Sequence, residues 1–192
     1  MQRADALARP AALATGFAAL DAVLPGNGWP LGAITELMPD TMGIGELSLM
    51  LPALGTLARS GKHLACVSPP HLPYPPALLQ AELPLERLLI IHAGEMQRAL
   101  WAVEQLLRCA GIGAVLAWPD AITEPQLRRL QLAAESSGGF GLLYRPAQAA
   151  ASASPAALRL RLQAARDGLR IEIKKMRGGH AHALVVRPSA AA

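Results

Sequence analysis

Apolar residues recur along this chain in short runs, and the runs change character towards the C-terminus. As far as residue 146 they are nearly unbroken: AITEL at 33–37, HLACVSP at 63–69, then RLLIIHA, GAVLAWP and GFGLLYRP. A strand that is apolar at every position is buried on both faces, which predicts a parallel sheet covered by helices on each side. The segments between these runs carry the helical period. Over residues 97–110 Leu100, Val103, Leu107 and Ala110 recur at three and four, which leaves Glu104, Gln105 and Arg108 to face water. TGFAALDAVL places Phe17, Leu20 and Leu24 on one face before PGNGWPLG breaks the helix. A helix is expected over about 45–60, where Pro52 conflicts with a helix interior, and a short one over ALLQAEL. Thr123, Pro125 and Gln126 form a capping-box signature for a helix that runs through Ala134 and stops at Gly138-Gly139.

After residue 155 the period becomes two. LRLRLQ (158–163), LRIEIKKM (169–176) and HALVVRP (182–188) alternate apolar with polar positions, the mark of half-exposed antiparallel strands at a sheet edge. The low-complexity stretch AQAAASASPAA (147–157) joins the two regions and reads as a flexible surface loop. Residues 1–14 read as a loose start or a short helix. The expected fold is therefore α/β: a mainly parallel, helix-covered sheet with antiparallel C-terminal edge strands, forming one domain over 15–192.

Composition fits that reading. Of 192 residues, 52% are hydrophobic and 17% charged, which is globular and not disordered. The longest apolar stretch, around 114–118, is far below the roughly 18 residues of a membrane span. MQRADALARP lacks the hydrophobic core of a secretory signal, so a cytoplasmic location is expected. Cys66 and Cys109 both sit in apolar segments and read as buried free thiols.

Charge changes the picture more. The net charge is +4, but residues 155–192 carry eight basic and two acidic residues, a net +6, while the first 154 carry ten basic and twelve acidic. A localised basic segment suits a polyanion, an acidic partner surface, or simply a solvated face. Arg159, Arg161, Lys174, Lys175 and Arg177 are its candidate contact residues for DNA or a partner. No metal site is expected: the five histidines lack a cysteine partner at ligand spacing, and His180-x-His182 reads as ordinary polar residues. Ser136-Ser137 reads as a helix end. Of the tryptophans, Trp101 and Trp118 are expected in the core and Trp29, in its Gly/Pro loop, at the surface.

Several of these residues carry a resemblance. Thr15-Gly16, Leu20-Asp21, Leu24, Gly26-x-Gly28, Pro30, Gly32 and Ile34-x-Glu36 resemble the approach to the nucleotide loop of the RecA family, and the order of later elements follows the RecA core. TGFAALDAVLP, GWPLGAITEL, GIGELSLMLPAL, PPHLPYPPALL, ALWAVEQLLR, AVLAWP, LRRLQLAAE, LLYRP, SPAALRLRL and KKMRGG together resemble the ImuA family of SOS mutagenesis cassettes, which is related to RecA and SulA.

The chemistry of a RecA-type ATPase is not matched. A P-loop needs a lysine for the phosphates and a hydroxyl for Mg²⁺. In the corresponding segment, Pro39, Asp40, Gly43, Gly45 and Glu46 form a degenerate nucleotide loop: Glu46 stands where the lysine belongs and Leu47 where the hydroxyl belongs. A carboxylate there repels a triphosphate. The acid that would activate water is replaced by Ser68-Pro69-Pro70-His71, and the metal acid by Trp118-Pro119, with Asp120 displaced beyond the proline. These departures predict no catalytic residues, no cofactor and no ATP turnover. The ImuA resemblance implies an accessory protein of translesion synthesis with three partners: a Y-family-like ImuB, an error-prone DnaE-type polymerase, and RecA. Because SulA shares the reduced core, inhibition of FtsZ polymerisation is the alternative, and a nucleotide-dependent enzyme the less favoured one.

Overall fold

The computed structural model describes residues 11–180 and 182–188. The chain runs β1 (Ala12–Leu13), α1 (Ala18–Asp21), β2 (Trp29–Pro30), β3 (Ala33–Pro39), α2 (Leu51–Arg59) and β4 (His63–Val67). It continues through α3 (Pro75–Gln80), β5 (Leu88–Ile91), α4 (Met96–Leu107), β6 (Ile112–Ala117), α5 (Glu124–Ser137) and β7 (Phe140–Tyr144). Three further strands complete it: β8 (Leu158–Ala165), β9 (Gly168–Met176) and β10 (His182–Val186).

Eight strands form one sheet in the order β10-β9-β8-β3-β7-β6-β4-β5. From β5 to β8 the neighbours are parallel; β9 and β10 run antiparallel. The expected α/β class, with its parallel core and antiparallel tail, is what the fold has, but LRLRLQ, expected at a sheet edge, forms β8 inside the sheet, parallel to β3 and antiparallel to β9. Helices cover both faces. Leu51, Ala53, Leu54 and Ala58 of α2 pack with Leu78 of α3 on one side. Leu100, Val103 and Leu107 of α4 and Leu127, Leu130 and Ala134 of α5 pack on the other. Thr123 caps α5 as its sequence predicts, accepting from the Gln126 amide while Gln126 reaches back, and Gly138 ends the helix in the left-handed conformation. No helix of the described residues is long and apolar enough to cross a membrane.

Six further expectations differ from the structure. The helix expected from about residue 45 starts at Leu51, which places Pro52 in its first turn, where a missing amide hydrogen costs little. Residues 12 and 13 are strand, not a loose or helical start; they pair antiparallel with Trp29–Pro30. Residues 1–10, with the expected absence of a signal, lie outside the described residues. That pairing folds the Gly/Pro loop onto the core, so Trp29 is fully buried against Phe140. Trp101, one position off the buried stripe of α4, is 62% exposed, which inverts the expectation for these two residues. Cys109 is also exposed, because α4 has already ended at Leu107; Cys66 is buried as expected. Glu104 faces inward, held by Arg129 at 2.6 Å and Arg108 at 2.9 Å. Finally, residues 147–157 include a short 3₁₀ turn at Ala147–Ala151 and bury Ala156 and Ala157. Their carbonyls are ligands for an arginine described below.

Candidate functional site

In a parallel sheet, ligands meet the crevice beyond the carboxyl ends of the strands. Here that crevice is bounded by the ends of β3, β4, β6 and β7. After Pro39 the chain passes through a run of turns, residues 40–50, before α2 begins. Gly43 and Gly45 have φ of +86° and +103°, a left-handed backbone that a side chain would strain. This bends the loop so that Glu46 lies almost buried beneath it. Both carboxylate oxygens of Glu46 accept from the Gly43 amide, at 2.9 and 3.1 Å. In a phosphate-binding loop an amide of this kind would donate to a bound anion; here the chain's own carboxylate takes that donor.

Around Glu46 opens a cleft of about 350 Å³, floored by Leu47, Trp118 and Tyr144 and rimmed by Met42, Leu72 and Pro73. The Trp118 and Tyr144 rings stack at 4.8 Å with 6° between planes. Tyr144 is only 3% exposed, and its hydroxyl has no hydrogen-bond partner among the described residues. Burial, reinforced by Cys66 and Glu46, holds that phenol well above its ordinary value. Burial likewise pushes the Cys66 thiol up to about 12. At the end of β4, Ser68 turns the chain at φ +48°, and its hydroxyl accepts from the Ala93 amide at 3.3 Å. Trp118 and Pro119 follow the end of β6, and Trp118 contributes aromatic surface to the cleft.

The family model for the cell division inhibitor SulA matches residues 32–141, from just before β3 to the start of β7. The chain belongs to the SulA family. A SulA of Edwardsiella piscicida is 31% identical over 114 residues, covering 58% of this chain and 68% of that protein. The SulA of Pectobacterium atrosepticum is 31% identical over 119 residues, 62% of this chain and 71% of its own length. The protein ImuA of Caulobacter vibrioides is 30% identical over 136 residues, 68% of this chain but 56% of ImuA. The chain thus spans little more than half the length of that ImuA protein. The expected kinship with both ImuA and SulA stands on these matches.

Within this SulA-family chain, the five loop residues Pro39, Asp40, Gly43, Gly45 and Glu46 come together as one segment, but Asp40 points its chemistry elsewhere. It binds Arg161 at 2.8 Å and Gln163 at 2.9 Å on β8. The hydrogen bond from Arg161, then that from Gln163, holds the Asp40 carboxyl below its ordinary value. The register that pairs Glu36 with Arg159 and Met38 with Arg161 explains this. Polar positions of β3 and β8 face one another along the sheet, so the arginines of LRLRLQ stitch two strands together.

Arg159 is therefore not at the surface. Glu36, fully buried, bonds to its Nε and to Arg145 Nη1 at 2.7 Å, joining three adjacent strands. The rest of the Arg159 guanidinium donates to Ala149 O at 2.6 Å and Ser152 O at 2.8 Å, which orders the low-complexity segment. The other basic candidates remain nearer solvent but are also engaged. Lys174 meets Glu172 at 3.1 Å, Lys175 donates to Ser154 O at 2.6 Å, and Arg177 meets Glu135 at 3.3 Å. Partial burial, then Arg159 and Arg177 nearby, lowers the Lys175 pKa.

Sequence reasoning missed Tyr144, Arg145 and the Met42/Leu72 rim. A polar-tipped tyrosine at the end of an otherwise apolar strand was a usable signal for the first. No local signal existed for the other two, because only strand order brings them to Glu36 and to the cleft.

Proposed function

We propose that this chain is a non-catalytic accessory protein of the SOS response, built on a RecA-like core from Thr15 onward and acting in translesion DNA synthesis through protein partners. The observation that carries it is the Glu46 carboxylate bound to the Gly43 amide. A negative group already fills the donor that a phosphate would need, so the loop disfavours nucleotide. Catalysis would also require a water-activating and a metal-binding acid, at positions held by Ser68 and Trp118. The partners this reading implies are an ImuB-like Y-family homologue, an error-prone DnaE-type polymerase and RecA. Support comes from the ImuA match, which reaches over more of the chain than either SulA match. Contact with DNA would fall to Lys174, Lys175, Arg177 and Arg161, with Arg159 excluded by its burial. It should weaken steeply between about 50 and 200 mM salt if phosphates are bound.

A second reading, inhibition of FtsZ polymerisation, is supported by the SulA family match. One set of assays separates the two. The purified tagged chain is mixed with purified ImuB-like protein, DnaE-type polymerase and RecA, and separately with FtsZ and GTP in a sedimentation assay. Co-elution with the mutagenesis proteins and undisturbed FtsZ pelleting is the expected result; loss of the FtsZ pellet without co-elution gives the second reading. Phosphate release above a buffer blank, abolished by Gly43→Val, would sink the non-catalytic reading, whereas Glu46→Lys alone should not create turnover.

A further inference from the structure

We propose that the cleft beside Glu46 is a docking site for an extended segment of a partner protein, one that places an apolar or aromatic residue next to a lysine or arginine. This rests on the reading that the chain works through protein partners, and adds where and by what chemistry. Four features point to that occupant. The cleft is mostly apolar, Glu46 is the one acidic group lining it, and His71 is the one imidazole. Unlike Glu36, Glu46 has no cation partner among the described residues, although its exposure is only 8%. A nearly buried carboxylate without a counter-ion favours a cation and disfavours phosphate, so nucleotides and nucleic acid are poor candidates.

The hydroxyl of Tyr144 supplies a second, independent demand. It is buried at the cleft floor and unpartnered within the described chain, and such groups are costly unless something bonds to them. Its oxygen is closed off from the surface, so a peptide carbonyl or amide bonds to it only if docking shifts the cleft floor. The rim supplies apolar area: Leu72 is 69% exposed and Met42 is 45% exposed, a grouping of the kind that marks protein contacts. Five of the eight residues 69–76 are proline, so this side of the rim is conformationally restricted before binding and loses little freedom on it. Apolar walls, one uncompensated carboxylate and one spare hydroxyl together specify an apolar residue beside a basic one.

The test pans a phage-displayed library of random dodecapeptides on the full-length chain and measures the enriched peptides by fluorescence anisotropy. Enriched sequences should pair Leu, Met or an aromatic residue with an adjacent Lys or Arg. Glu46→Gln keeps an acceptor for Gly43 but removes the charge, and should weaken binding about tenfold. Leu72→Asp should abolish binding, while the exposed side chain leaves folding unaffected by circular dichroism. Tyr144→Phe should weaken binding several-fold without lowering the melting temperature, a result that a merely structural tyrosine would not give. No enrichment, acidic enriched sequences, or binding indifferent to these three substitutions would each overturn the proposal. The two readings fail separately. Co-elution with mutagenesis proteins that ignores Glu46→Gln and Leu72→Asp removes the cleft alone; peptide binding without co-elution removes those partners alone.

Discussion

Glu36 and Glu46 lie ten positions apart on either side of the end of β3, both out of solvent, and they are treated in opposite ways. Glu36 sits between two guanidiniums on neighbouring strands and is neutralised by them. Glu46 rests on a single backbone amide beside an apolar cleft. In the first arrangement the charge is closed off: its acid bonds to both arginines, and Arg159 goes on to satisfy two loop carbonyls, while Arg145 Nε is the one group there without a hydrogen-bond partner among the described residues. The second is left open, with a carboxylate that has no counter-ion and a buried hydroxyl that has no hydrogen-bond partner among the described residues. A buried carboxylate therefore says little by itself. What distinguishes structure from site is whether the fold also delivers the counter-charge.

The largest test of that contrast is a pair of identical substitutions. Glu36→Gln leaves two buried guanidiniums without their anion and should cost about 3–5 kcal/mol in urea unfolding. Glu46→Gln loses only a charge on one amide contact and should cost under about 1 kcal/mol. Equal costs would mean that Glu46 too is a structural anchor. Alkaline stability gives a second, intermediate effect. Burial keeps Cys66 protonated, with its pKa raised from 9.0 to about 12. The unfolded chain ionises first, so stability is full below about pH 9 and falls as pH rises towards 12. One such group contributes at most about 1.4 kcal/mol per pH unit. Melting curves of Cys66→Ala should flatten by that amount, and a thiol reagent at neutral pH should label Cys109 and spare Cys66. The smallest effect lies at the β3–β8 seam. Arg161 depresses the Asp40 pKa, so that pair's contribution is present above about pH 3.8 and is lost as pH falls through the lower folded value. Because both side chains are partly exposed, solvent screens the pair. Asp40→Asn should make the acid limb of the stability profile slightly shallower.

Several elements were legible in the order of residues alone. Unbroken apolar runs marked the strands of the parallel core, the 3–4 period marked α4, and Thr123 with Gln126 marked the start of α5. These depend on local periodicity and on caps made within one turn, and both are written in consecutive residues. The acidic character of the turn after β3, at Asp40 and Glu46, was legible too, since charge sign is a property of the residue. What the order of residues left open was which polar groups would meet. LRLRLQ reads as a half-exposed edge strand with its arginines outward until the register sets Arg159 beside Glu36. Trp29 reads as a loop residue until β1 and β2 fold it under the core, and Glu104 as solvated until α5 brings Arg129 to it. The net positive charge of the tail was in the sequence; its internal pairing, and the uncompensated carboxylate at the cleft, were decided by strand order. Long-range pairing sets the surroundings of a charge, and those surroundings decide whether it holds the fold together or remains available to a partner.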